Sequence, residues 1–544
     1  MSTTLEPSSV GLSAPYPAEP LPTEDSDGQG EAQPYVLEDR LPEWLKWSPV
    51  SLVWVAIVGV LFWVQSFQKI HYTDIWGHVE YGRLLWETGK IPATEPLMPL
   101  SAGMPFVDTA WGSQVLAYLT QAKFGPAGIQ FLHALSIALA AGGLLWRFAR
   151  VTRGFWVPVA GFALFVALNW EQMAVTRPQL AGIACYVALL VLLTGRWTAA
   201  HWGAIPLLFL VWTNLHGSFV MGLGLLACAV AGRAADLLFA GRGVRGLTHD
   251  GPLARLLVVT QLAFMATLVN PYGLALYHEV LPFAANNNLA DLIEWQPLHV
   301  RTFQGQMVAA VIVALAVVYR LSPRRVTSTE VFALVGVGFA MLWSNRFLVW
   351  WAPLATLALV WHGHAILSRR AVVAEVEADD AEPVAGPKRK GVFTLCAVGL
   401  MWIFFAFTPF GLRVIHGPKA AAKSPHAANT PVGAAAHLVK NPPVGQIFNT
   451  YEWGDYLGFA GPRGLRIFVN SHAHLVHPDI WKHYLAVVNV SAGWDDLLDL
   501  YGVNTVVVDK RDRQSLITRL KEHEKWTLSY EDNTAVIYVR KQAI

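Results

Sequence analysis

The chain has 544 residues, of which 54% are hydrophobic and only 14% charged, with a mean hydropathy of +0.38. Soluble domains carry about 25% charged residues, so this deficit, together with 23 tryptophans, excludes an ordinary soluble protein and points to a polytopic membrane protein. The net charge of +2 comes without any basic stripe interleaved with aromatics, and no nucleic-acid partner is expected.

Residues 1–47 are polar and rich in Pro, Ser, Glu and Asp near the start, and read as a disordered cytoplasmic tail. No basic segment leading into an apolar core opens the chain, so this is not a signal peptide. A membrane span requires roughly 20 mostly apolar residues. Apolar runs at 49–66, 126–146, 155–170, 180–195, 202–214, 217–239, 256–270, 306–319, 329–344, 347–367 and 391–410 give about eleven spans. The weakest, 202–214, can also pair with 217–239 as one helix broken around Asn214–Gly217. Cys185, Cys228 and Cys396 all lie in apolar runs and read as small buried residues, not as disulfides or metal ligands.

With the N-terminus in the cytoplasm, the inner linkers hold fifteen cations. These are Arg147, Arg150 and Arg153; Arg196; Arg242, Arg245 and Arg255; Arg320, Arg324 and Arg325; and Arg369, Arg370, Lys388, Arg389 and Lys390. The outer linkers after the first hold only Arg177, Arg301 and Arg346. The positive-inside rule expects this bias. It places the 67–125 loop and everything beyond 410 outside, and it brings Asp74, Arg177, His216, Asn270, Glu294 and Arg346 to one face.

The first outer loop contains HYTDIWGHVEYGRLLWETGKIP. It reads as a short helix with Trp76, Val79, Leu84 and Leu85 toward an apolar surface, lying flat in the membrane interface. Residues 111–124 are a second such segment. After 410, residues 411–440 read as a Pro/Ala/Lys linker, and 441–544 as a small extracytoplasmic α/β domain. Its expected strands are 445–448, 466–469, 503–508 and 535–540, and its expected helices 479–490, 493–501 and 513–523. The expected fold is therefore mainly α: a helical membrane bundle over 48–410 with interfacial helices in the first outer loop and a small C-terminal α/β domain.

Asp74, flanked by His71 and His78, can act as a general base or hold a divalent cation such as Mg²⁺ or Mn²⁺. The same spacing suits a helix N-cap. Arg177, in VTRPQLAG, can grip a phosphate bidentately or snorkel to lipid headgroups. Arg346, in a tight turn between two spans, is similar. Asn214, His216 and Gly217 either interrupt a membrane helix beside a wet cavity or form a simple turn. The NPYG sequence from Asn270 reads as a structural turn. Glu294 and Asp108 are further carboxylates, with an exposed loop position as the plain alternative. His472, His474, His477 and His483 are dense enough to suggest zinc, but no HExxH motif accompanies them. There is no Walker loop, no strand-linked GxGxxG and no GxSxG elbow.

Taken in order, HYTDIWGHVEYGRLLWETGKIP, PFVDTAWGSQ, TRPQ, NLHGSF, NPYG, IEW, SNRF and FNTYEWGDYL resemble the GT-C class of integral-membrane glycosyltransferases. The likeness is to bacterial members related to protein O-mannosyltransferases and the lipid A aminoarabinose transferase, and it spans most of residues 50–540. It implies that Asp74 is the catalytic carboxylate and that Arg177 and Arg346 hold a lipid phosphate. His71, His78, Asp108, His216 and Glu294 are the accompanying substrate-binding candidates. The implied partners are a polyprenyl-phosphate sugar donor, a glycan, lipid or protein acceptor, and the lipids of a bacterial cytoplasmic membrane. Two departures stand out. Ile75 follows Asp74 where many relatives have an acidic doublet, and Asn470–Ser471–His472 stands where uncharacterised relatives read Asp-x-Arg. The rival reading is a transporter or flippase of a lipid-linked or anionic substrate, against which no inverted repeat is evident.

Overall fold

The computed structural model describes residues 39, 41–71, 74–152, 154–377, 389–418 and 424–542. Most of the tail expected to be disordered lies outside the described residues, as do Arg153 and Lys388, but its last residues depart from that expectation: Glu43–Leu45 forms a short 3-10 helix and Trp47 bridges to Lys390. Every apolar run forms a helix in its expected place: Pro49–Ser66, Pro126–Val151, Trp156–Leu168, Gln179–Thr194, His201–Leu215, Phe219–Phe239, Gly251–Thr267, Phe303–Leu321, Ser328–Trp343, Leu348–Glu377 and Gly391–Ala406. Four of these, Pro49–Ser66, Pro126–Val151, Phe219–Phe239 and Phe303–Leu321, are long and apolar enough to cross a membrane alone. A fifth arises if Gly391–Ala406 is joined across its 90° bend to Pro409–His416. His201–Leu215 is a helix in its own right, separated from Phe219–Phe239 by the turn at His216–Ser218.

Polar residues at the helix starts satisfy otherwise orphaned backbone N–H groups. The Ser48 hydroxyl accepts from Ser51 N (3.3 Å), Asp250 from Leu253 N (2.8 Å), Thr302 from Gly305 N (3.1 Å) and Thr327 from Glu330 N (3.2 Å). Each such cap is worth about 0.5–2 kcal/mol. The outward faces remain apolar, with Leu207, Val211, Val313, Val317, Leu395 and Trp402 exposed. Such faces are stable against hydrocarbon and unstable against water. The chain is a multi-pass membrane protein.

The contacts show that successive helices alternate in direction. At one end Arg147 bonds Thr194 (2.9 Å), Arg233 pairs with Asp250 (2.6 Å), Ser328 Oγ bonds Asp236 (2.8 Å) and Lys390 N bonds Trp47 O (3.0 Å). At the other end Trp111 Nε1 donates to Asn214 (3.0 Å), Gln304 to Gln172 (3.0 Å) and Asn345 N to Gln296 O (3.0 Å). The sparse polar linkers meet at this second end.

The C-terminal part carries a four-stranded sheet in the order β1-β2-β4-β3, with β1 Gln446–Asn449, β2 Val503–Asp509, β3 Trp526–Glu531 and β4 Ala535–Arg540. β1 runs parallel to β2, and the other pairs are antiparallel. Two strand expectations need correction. Residues 466–469 are not a strand beyond one isolated bridge from Arg466 to Gln446. Ile467, Phe468 and Val469 are buried, but the Asn449 side chain takes the place of a ladder, accepting from Phe468 N (2.9 Å) and donating to Val469 O (2.8 Å). β3 was not expected, because only its first residue, Trp526, is fully buried. Residues 411–440 also contain helix, Pro409–His416 continuing into this stretch and Val432–Lys440 packing Ala434, Ala435 and Leu438 into the C-terminal core.

The helix Asp74–Thr88 joins the two parts, packing on Trp111–Phe124 and on Tyr451–Ala460. Trp76 is buried and stacks on Phe459 (centroids 4.7 Å apart), so its apolar surface is the C-terminal domain. Gly77 sits where a Cβ would collide with the Asp455 carboxylate. Alanine is better than glycine in a helix by about 1 kcal/mol, whereas overpacking costs about 1–3 kcal/mol. Gly77→Ala is therefore expected to lower the melting temperature and speed proteolysis of the C-terminal domain. An unchanged or raised melting temperature would show that this contact is not tight.

Candidate active site

A cavity of about 230 Å³ lies at the end of the bundle where the sparse linkers meet, roofed by the C-terminal domain. A chain of ion pairs forms part of its wall. Asp74 Oδ2 pairs with Arg177 Nη2 at 2.6 Å, Arg177 Nη1 with Glu294 Oε2 at 2.5 Å, and Glu294 Oε1 with Arg346 Nη1 at 2.6 Å. The Arg346 guanidinium also lies over the Trp295 ring, 4.8 Å from its centroid. Each residue comes from a different linker. Asp74 opens the loop helix, Arg177 precedes Gln179–Thr194, Glu294 sits in the short turn Ile293–Trp295, and Arg346 in Asn345–Phe347.

Asp74 is the first residue of its helix, so the capping alternative gives way to a carboxylate facing an arginine. Burial raises its pKa above the ordinary carboxylate range, Arg177 opposes that shift, and Glu294 and Asp455 add to it. Glu294 is held down at about 2: burial works to raise it, and Arg346 and Arg177 together outweigh that. The plain reading of Glu294 as an exposed loop acid is thereby replaced by a doubly paired one.

Asp108, His78 and His216 also line the cavity. Asp108 is 3% exposed; Oδ1 accepts from Ala110 N (2.9 Å), while Oδ2 has no partner among the described residues. Burial pushes its pKa up to about 7. The NPYG turn helps to place it. Asn270 Oδ1 accepts from Tyr272 N (2.7 Å), and the Tyr272 hydroxyl accepts from Asp108 N (2.8 Å). His216 ends His201–Leu215, and its Nδ1 accepts from Ser218 N (3.0 Å). Burial pulls its pKa down to about 3, so it is a neutral imidazole. His78, one turn along from Asp74, lies 3.3 Å from Gln114 Nε2, and burial pulls it well below the ordinary histidine range.

The structure does not bring every candidate here. His71 precedes the helix, is exposed, and uses its backbone carbonyl to accept from Asn429 Nδ2 (3.3 Å). His477 is exposed and caps Pro478–Val488, its Nδ1 accepting from Asp479 N (3.3 Å). His483 is spent on Tyr501 (2.6 Å). His472 and His474 do line the cavity, but no group of three or more His, Cys, Asp or Glu is arranged for a metal among the described residues. His472 instead packs edge-on to His78 (centroids 4.9 Å apart), with Nδ1 3.6 Å from Asp455 Oδ1. Burial lowers the His472 pKa, but Asp455, Glu95 and Asp74 more than offset this and raise it overall. Asp455 is buried and also accepts from Ser471 N (3.0 Å). No role had been assigned to Asp455 or Gln114. Both lie in quoted motifs, Asp455 as the second acid of FNTYEWGDYL and Gln114 as the last residue of PFVDTAWGSQ.

No known family model matches the chain, and no curated protein sequence does. Solved structures of similar shape include ArnT from Cupriavidus metallidurans bound to undecaprenyl phosphate, at 13% identity and a TM-score of 0.49, covering 90% of this chain and 97% of that one. The Archaeoglobus fulgidus oligosaccharyltransferase tethered with an acceptor peptide aligns at 10% identity and a TM-score of 0.47, covering 90% of this chain and 74% of that one. At these values the chemistry has to be argued from the cavity's own residues.

Because the Glu294 pKa is depressed in the folded state, its pairing contributes stability that is complete above about 4.5 and is lost as pH falls toward about 2. Glu294→Gln should melt below wild type at pH 7, with the gap narrowing between pH 5 and pH 2. A gap independent of pH would show that the ion pairs do not stabilise the fold.

Proposed function

We propose that the protein is a membrane glycosyltransferase that moves a sugar from a polyprenyl-phosphate-linked donor to an acceptor hydroxyl on the extracytoplasmic face. The observation that carries this reading is the Asp74–Arg177–Glu294–Arg346 chain along a cavity at one end of an apolar helix bundle. A lipid-linked sugar has an apolar tail, a phosphate at headgroup depth and a polar sugar beyond it. The apolar helices suit the tail, the two arginines suit the phosphate, and the cavity suits the sugar.

In this mechanism Arg177 and Arg346 bind the donor phosphate. That draws Arg177 away from Asp74 and leaves the carboxylate free to act. Asp74 takes the proton of the acceptor hydroxyl, whose oxygen forms the new bond to the sugar's anomeric carbon. The bond from that carbon to the phosphate oxygen breaks, and the electron pair leaves with polyprenyl phosphate. The arginines stabilise the charge that develops there. Asp108 Oδ2, without a partner among the described residues, can accept a hydrogen bond from a sugar hydroxyl. The elevated Asp74 pKa, set by burial against the pull of Arg177, puts the acid limb of the rate profile above the ordinary carboxylate range.

Purified protein in nanodiscs, given polyprenyl-phosphate-linked hexoses and pentoses with an acceptor, with and without Mg²⁺ or Mn²⁺, should release free polyprenyl phosphate. Asp74→Asn should lose about 10²–10⁴-fold in rate, the usual worth of a general base, in protein shown to be folded by near-ultraviolet circular dichroism. Full activity in Asp74→Asn would remove it from the reaction. Transfer of intact donor across the bilayer without cleavage would favour the transporter reading.

A further inference from the structure

A second cavity takes no part in the site above. It is a groove of about 750 Å³ between Pro49–Ser66, Pro126–Val151 and Gly391–Ala406. We propose that this groove binds one anionic glycerophospholipid, its headgroup phosphate held by Arg150 and Arg389 and an acyl chain lying against Trp54, Val58, Phe62 and Phe404.

Length, charge and fixation of the mouth each support this occupant. The lining residues of Pro49–Ser66 run from Ser51 through Trp54, Val58 and Gly59 to Phe62, one face of the helix at steps of three and four. At 1.5 Å per residue this stretch is about 16 Å long. One leaflet of a roughly 30 Å hydrocarbon core is about 15 Å deep. The groove is therefore as deep as one leaflet. Its deep end is closed by phenylalanines, including Phe62, Phe131 and Phe405, and its cations all lie at the other end, opposite the Asp74 cavity.

At that mouth stand Lys46, Arg150 and Arg389, beside Trp44, Trp47 and Trp146. Lys46 is already engaged by Glu43 (2.7 Å) and Asp39 (3.8 Å). Arg150 lies over Trp146, 5.2 Å from the ring centroid, and neither it nor Arg389 has a carboxylate partner among the described residues. Two cations without carboxylates at headgroup depth, among tryptophans that favour the interface, match a lipid phosphate that carries net negative charge. The mouth is also held in place. Trp47 N donates to Thr394 Oγ1 (3.2 Å), Lys390 N donates to Trp47 O (3.0 Å), and Thr394 Oγ1 donates to Leu45 O (2.5 Å). Bulk lipid meets no such fixed arrangement.

The test is native mass spectrometry of the full-length protein released from detergent, titrated with phosphatidylglycerol or with phosphatidylcholine of the same acyl chains. Wild type should retain one phosphatidylglycerol well above phosphatidylcholine. Arg150→Gln/Arg389→Gln should bind phosphatidylglycerol about thirtyfold more weakly, the expected worth of two interfacial cations. Gly142→Leu, which adds bulk to the groove lining without changing charge, should weaken both lipids. Equal retention of the two lipids by wild type, or undiminished phosphatidylglycerol binding by the double variant, would overturn the proposal. Preferential retention of polyprenyl phosphate over phosphatidylglycerol at this groove would overturn it as well.

Discussion

The alternating ion pairs Asp74–Arg177–Glu294–Arg346 constrain the end of the bundle at which the candidate site lies. Charges near hydrocarbon are tolerated only when paired or wet. Removing one partner from a part-buried pair destabilises, because the other charge is left uncompensated. Four linkers far apart in sequence must therefore hold their relative positions. Hydrogen bonds at that end, from Asn345 to Gln296 and from Gln304 to Gln172, tie the Arg177, Glu294 and Arg346 linkers to one another.

The C-terminal domain extends the same constraint. The Asp74–Thr88 helix is clamped between Trp111–Phe124 and Tyr451–Ala460, with Trp76 buried on the domain side. Gly77 permits the close approach of Asp455, and Asp455 in turn faces His472 at the cavity. The Asp74 carboxylate on this helix is thus positioned by the C-terminal domain as much as by the helix bundle. The domain also narrows the cavity: Leu475 and His474 line it from that side, and Phe283 packs edge-on against His474 at 4.7 Å.

The helices could be read from the sequence because hydrocarbon demands long apolar runs, and nothing else in a chain satisfies that demand. Arg177, Glu294 and Arg346 could be singled out because a charge in a short outer linker has few innocent explanations. Their pairing could not, since it depends on which helices are neighbours. His71 and His78 looked equivalent around Asp74; only helix phase separates them, with His78 one turn along and His71 ahead of the first turn. Residues 466–469 misled because burial produced an apolar run while the Asn449 amide supplied the hydrogen bonds that a strand partner would have given. Asp455 went unassigned because its function as a contact for Gly77 and His472 exists only across the interface between the two parts.

The proposed reaction requires Arg177 to exchange its carboxylate partners for a lipid phosphate. Equilibrium binding of polyprenyl phosphate, without any sugar, to wild type and to Arg177→Gln tests this most directly. Wild type should bind saturably, in competition with the sugar-linked donor, and binding should be largely lost in Arg177→Gln, with the folded state confirmed by near-ultraviolet circular dichroism. Equal binding by a folded Arg177→Gln would contradict it, leaving the ion chain as a structural clasp and the cavity without its assigned phosphate.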